Sequence, residues 1–141
     1  MSKFFEYVER LPVLKQEISQ SPSYDLEFLT ESKIKEILGA DSPMGAVYVM
    51  YDKGVPTYVG RSKTIAQKIG VDERSIGENQ ATVATKILKE KGYSTMREAR
   101  EYLYNNYKIK FIPIDDEKLR YTFLIYLAME LETKFNNFKE R

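Results

Sequence analysis

Residues 45–61 constrain this chain more than any other stretch. Ala46-Val47-Tyr48-Val49-Met50-Tyr51 is an unbroken β-branched and aromatic run, Asp52-Lys53-Gly54 supplies turn residues, and Val55 to Val59 repeats the strand pattern. Two such runs around so short a turn predict a β-hairpin. Side chains two residues apart share a strand face, so the parity is compatible with Tyr48 and Tyr58 lying together on one face. Gly60 is expected to end the second strand and to permit close approach of another group. Arg61 is expected to open a helix through about Ile69, with Ser62 as its N-cap. A cation at that end opposes the helix dipole, which favours a phosphate or carboxylate partner.

Helical and strand patterns flank the hairpin. Phe4, Phe5, Val8 and Leu11 form an apolar stripe at helical spacing, with Pro12 as a break or restart. Ser21-Pro22-Ser23 reads as a loop, and Ser32 to Leu38 as a second helix closed by Gly39. Downstream, residues 70–79 read as a polar loop and Gln80 to Lys91 as a helix carrying Val83, Ile87 and Leu88 on one side. Ser94 is the expected cap of a helix to about Asn105. Lys108 to Ile114 reads as a strand. Asp115 or Asp116 is expected to cap a last helix running to about Phe135. Phe123 to Met129 is apolar throughout, which predicts burial on most sides of that helix. The fold class is α/β (α+β): residues 1–44 form an N-terminal helical extension, and residues 45–141 form the domain that carries the hairpin.

Composition decides which chemistry such a domain can host. Among 141 residues there is no Cys and no His. That excludes disulfides, thiol nucleophiles, imidazole bases and zinc sites built on His or Cys. A general acid or base must be Tyr, Lys, Asp or Glu, and a metal must sit on oxygen ligands. No apolar run approaches the ~20 residues of a membrane span, and acids appear too early for a signal peptide. The expectation is a soluble, cytoplasmic protein. The net charge of +1 is uneven: residues 1–44 carry 5 basic and 8 acidic groups, residues 45–141 carry 17 and 13.

The tripeptides Ala46-Val47-Tyr48 and Tyr58-Val59-Gly60, followed by Arg61, resemble the namesake motifs of the GIY-YIG nuclease superfamily. Gly77 to Ala84 resembles the Asn-and-Ala segment of a phage- and restriction-associated branch. Arg120 to Tyr126 and Leu131 to Asn136 resemble that branch's C-terminal signature. The similarity covers about residues 45–138. It implies a small central antiparallel sheet flanked by helices. It also implies hydrolysis of a DNA phosphodiester with one Mg²⁺ or Mn²⁺, Tyr48 as general base, Arg61 on the phosphate and Tyr58 shaping the site. Such a division of labour is chemically coherent, because the metal and the cation stabilise charge on the phosphate. A tyrosine titrating near ~10 needs a nearby cation to serve as a base.

One position departs from the pattern. Alignment on Arg120 and Asn136 puts Leu124 where the metal-binding glutamate belongs, and leucine has no ligand atom. Glu117 lies two helical turns away, and Glu130 and Glu132 are no better placed. Glu73, Glu78 or Glu117 pointing at Tyr48 and Arg61 would rebuild the metal site; Leu124 in an apolar wall would not. Cleavage is therefore expected to be impaired or lost. The alternative is a non-catalytic module that binds nucleic acid, a nucleotide or a protein, phage-encoded and regulatory or inhibitory. Lys63, Lys68, Asn79, Lys86 and Asn136 are the candidate nucleic-acid contacts, with modest, salt-sensitive affinity for DNA. The acidic N-terminal helices are a candidate protein-binding surface. Each of these residues also has a plain reading: Tyr48 and Tyr58 as sheet aromatics, the lysines as a solvated face, Asn136 as a helix cap.

Overall fold

A computed structural model describes residues 2–40 and 43–138. In chain order the elements are α1 (Lys3–Gln20), β1 (Tyr24–Asp25), a 3₁₀ turn (Leu26–Phe28), α2 (Glu31–Leu38), β2 (Ala46–Asp52), β3 (Val55–Ser62), α3 (Ile65–Gln67), a π-helical turn (Lys68–Asp72), α4 (Thr82–Lys91), α5 (Met96–Asn106), β4 (Tyr107–Pro113) and α6 (Glu117–Leu131). The strands form one antiparallel sheet in the order β1-β4-β2-β3.

Period-2 alternation divides the sheet into two buried faces. Ala46, Tyr48 and Met50 of β2 join Tyr107, Ile109 and Phe111 of β4 on one face, under α2 to α5. Val47, Val49 and Val59 pack on the other with Leu119, Phe123 and Leu127 of α6 and with Leu11, Leu14 and Ile18 of α1. Strand β2 is thus covered on both sides, which is why its sequence is apolar without alternation. Residues from 1–44 enter both clusters: α1 supplies one, while Leu26, Leu29 and Ile34 supply the other. Strand β1 also adds an edge to the sheet.

The hairpin forms as its turn residues require. Lys53 and Gly54 both have positive φ, 49° and 87°, the backbone of a tight turn whose twist matches its strands. The ladder then runs further than expected. Val47 pairs with Arg61 and Ala46 with Ser62, so Gly60 and Arg61 lie inside β3 rather than at its exit. Gly60 faces Tyr48 across the ladder, where the Tyr48 ring occupies the space a Cβ would need. Arg61 is therefore a strand residue with no helix dipole beneath it. The next helix is short and has Thr64, not Ser62, at its N-cap.

Other boundaries shift for local reasons. Helix α1 continues through Pro12. Pro12 and Val8 both lie on its exposed side, where water can hydrate the carbonyl that loses its partner. Its buried stripe is Tyr7, Leu11, Leu14 and Ile18, whereas Phe4, Phe5 and Val8 are exposed. Thr95 rather than Ser94 caps α5. Gly39 and Gly92 end α2 and α4 in the left-handed conformation, and Asp116 caps α6 through Lys118 and Leu119. Helix α6 stops at Leu131 because Glu132 turns to φ 51°. Only one side of α6 is buried; Tyr121, Ile125 and Met129 are exposed at successive turns.

The chain beyond α6 returns to the free edge of β3. The Phe135 amide donates to the Thr57 carbonyl at 2.9 Å. The Asn136 side chain reproduces a strand's pairing with Val59: Oδ1 accepts from its amide at 2.7 Å, and Nδ2 donates to its carbonyl at 2.8 Å. An otherwise open sheet edge is covered in this way. Arg120 performs a comparable task at the end of β4, donating to the carbonyls of Ile114 and Asp115 while packing over Gly45. Among the described residues no helix is long and apolar enough to cross a membrane.

Candidate functional site

Adjacent strands bring Tyr48 and Tyr58 together. Tyr58 stands beside Met50, so it is diagonal to Tyr48, and the ring centroids are 6.1 Å apart. Tyr48 is completely buried, and its hydroxyl donates to Oε2 of Glu73 at 2.8 Å. Glu73 is buried too. Its Oε1 accepts from the amides of Thr82 at 2.9 Å and Val83 at 3.4 Å, the first two residues of α4. Ala81 occupies the N-cap of that helix and has no side-chain acceptor. Glu73 supplies the missing cap from nine residues upstream.

This environment moves both phenols away from base chemistry. Burial, followed by the Glu73 charge, pushes Tyr48 well above the usual tyrosine value. The same two causes push Tyr58 up to about 12, against smaller opposing effects of Arg61 and Thr82. Burial also raises the Glu73 carboxyl, opposed by Lys68, the Tyr48 hydroxyl and the two α4 amides.

The donor set around Tyr48 does not fit a divalent cation. Both Glu73 oxygens are engaged by protein hydrogen bonds inside the core. Glu78 and Glu117 are exposed, in the loop before α4 and at the start of α6. No group of three Asp or Glu side chains able to hold a metal ion occurs among the described residues. Leu124 takes its place in the wall of an open groove of about 450 Å³ that Tyr58, Arg61, Lys86, Tyr121 and Asn136 also line.

Within the groove, the Arg61 guanidinium lies 3.5 Å from the centroid of the Tyr121 ring. Neither Arg61 nor Lys86 forms an ion pair with a described carboxylate. The result is two half-buried cations and an aromatic platform at a concave surface, an arrangement suited to an anion with a planar or apolar part.

The expected site residues are distributed unevenly around this groove. Tyr58, Arg61, Lys86 and Asn136 share it. Lys63, Lys68 and Asn79 lie outside its lining: Lys63 and Asn79 are exposed in loops, and Lys68 begins the π-helical turn. Asn136 meets the groove with its amide already committed to Val59 and to the Thr133 hydroxyl. Tyr121 was not singled out as a site residue in the sequence. Its spacing carried the signal, since it stands one turn before Leu124 on the same helix face.

No family model, curated protein or solved structure matches the chain.

Proposed function

We propose that this chain is a GIY-YIG-type protein of nuclease descent that binds nucleic-acid phosphate without cutting it. One observation carries the reading: Arg61 and Lys86, free of carboxylate partners, flank the same groove as Tyr58 and Tyr121. A guanidinium fixed against a ring keeps its donors available to a phosphate at little further ordering cost. The non-catalytic half rests on the buried Tyr48–Glu73 pair and on Leu124 in the groove wall. A phenol held protonated in the core is a poor base, and a leucine wall binds no metal.

The test pairs a binding assay with a cleavage assay. Fluorescence anisotropy with a labelled oligonucleotide at low salt is expected to show binding that Arg61→Ala and Lys86→Ala each weaken. A plasmid-nicking assay with Mg²⁺ or Mn²⁺ is expected to show no product. Nicking that Tyr48→Phe or Arg61→Ala abolishes would overturn the non-catalytic reading. Binding insensitive to both cation substitutions would overturn the phosphate site.

A further inference from the structure

Resting on that reading, we infer that the groove takes an unpaired nucleobase together with its phosphate, so that its ligand is single-stranded rather than duplex nucleic acid. Tyr121 is 47% exposed beside its Arg61 partner. Ile125 and Phe138, exposed by 46% and 54%, extend the apolar surface along the same groove. A duplex offers a protein hydrated phosphates and recessed base edges, which leave such an apolar wall in water. A splayed base has an open π face. It stacks on an aromatic ring or a guanidinium plane and removes apolar surface from solvent as it does so.

The charge supports the same ligand. Residues 45–141 carry only 17 basic against 13 acidic groups, too small an excess for affinity carried by phosphate contacts alone. Stacking supplies the difference, and it is available from a single strand. The groove, at about 450 Å³, is in the size range of sites that enclose one small ligand, roughly 300–1,000 Å³. It suits one nucleotide at a time, with the strand continuing across the surface.

The experiment compares a fluorescein-labelled single strand of about 12 nucleotides, within the span of known single-strand sites, with the same strand annealed to its complement. The single strand is expected to bind about tenfold more tightly. Tyr121→Ala is expected to weaken single-strand binding by roughly five- to a hundredfold, clearly more than it weakens duplex binding, and to be rescued by Tyr121→Phe. Ile125→Ser, on the same wall, serves as a second variant if Tyr121→Ala loses its fold by circular dichroism. Equal affinity for the two probes, or a single-strand affinity that both variants leave unchanged, overturns this inference while leaving the phosphate site standing. Failure of both probes to bind overturns the inference and the phosphate site together.

Discussion

The Tyr48 hydroxyl donates to Glu73 at 2.8 Å inside the core, and Glu73 in turn accepts from the first two amides of α4. One carboxylate thereby joins the central strand, the loop after the π-helical turn and the start of a helix. Its removal strands a buried hydroxyl and two amide donors. Glu73→Ala is expected to cost about 3 kcal/mol or more in chemical denaturation. Glu73→Gln, which keeps an acceptor for α4 and offers the Tyr48 oxygen a donor, should lose less than about 1 kcal/mol. Tyr48→Phe leaves one carboxylate oxygen unpartnered and is expected to cost about 1–3 kcal/mol. A loss of stability of this size is what distinguishes a structural Tyr48 from a solvent-facing catalytic one.

The same pair sets a pH dependence. The folded-state Glu73 carboxyl is raised above its ordinary 4.5, chiefly by burial. Above pH 4.5 the folded protein therefore retains a proton that the unfolded chain has released. The stability contributed by this group is complete below pH 4.5 and declines as pH rises through the raised folded-state value. Thermal midpoints of the wild type measured upward from pH 4.5 should fall relative to those of Glu73→Gln. A parallel pair of curves would refute the assignment.

Gly60 is constrained by its neighbour rather than by its own dihedrals. Any Cβ there overlaps the Tyr48 ring, and that ring is fully buried in the core. Gly60→Ala should cost about 1–3 kcal/mol. Calorimetry on Gly60→Ala, on Tyr48→Leu and on the double variant checks the mechanism, since Gly60→Ala should cost less in the Tyr48→Leu background, where no ring opposes the Cβ.

Asn136 closes the outer edge of β3 through two hydrogen bonds to Val59. Asn136→Ala is expected to cost about 1–3 kcal/mol and to expose a pairing edge. Native-state hydrogen exchange at the Val59 amide should accelerate, and light scattering at high concentration should rise. Asn136→Asp restores only the acceptor. It should protect the Val59 amide while placing a carboxylate against the Val59 carbonyl.

Salt reports how many cations meet phosphate. Arg61 and Lys86 line the groove, and each phosphate neutralised on a single strand contributes about −0.7 to the slope of log affinity against log salt. The wild type should show a slope near −1.4, and Arg61→Ala a slope near −0.7, as anisotropy titrations over a range of ionic strengths will measure.

Some of this architecture was legible residue by residue. The hairpin announced itself because strand alternation and turn dihedrals depend on immediate neighbours, so that Lys53-Gly54 and the run Ala46 to Tyr51 carry their own instructions. Gly39 and Asp116 end and begin helices for equally local reasons. Helix α1 was harder. The stripe Phe4, Phe5, Val8 and Leu11 shares only Leu11 with the buried set, which is Tyr7, Leu11, Leu14 and Ile18. Two apolar registers overlap in that segment, and packing against α6 and β4 selects between them.

The sequence by itself determined the central hairpin, the helix ends at Gly39 and Asp116 and the absence of imidazole and thiol chemistry, because each depends on residue type or on neighbours within one turn or one strand. Tertiary structure decided what the chemistry-bearing residues do. Glu73 finds Tyr48 across 25 positions and Asn136 finds Val59 across 77. Arg61 lies on a strand and meets Tyr121 of α6. No local periodicity encodes such pairings. They arise when chain segments remote in sequence are pressed into one core, where a buried carboxylate must find donors and an open sheet edge must find a partner.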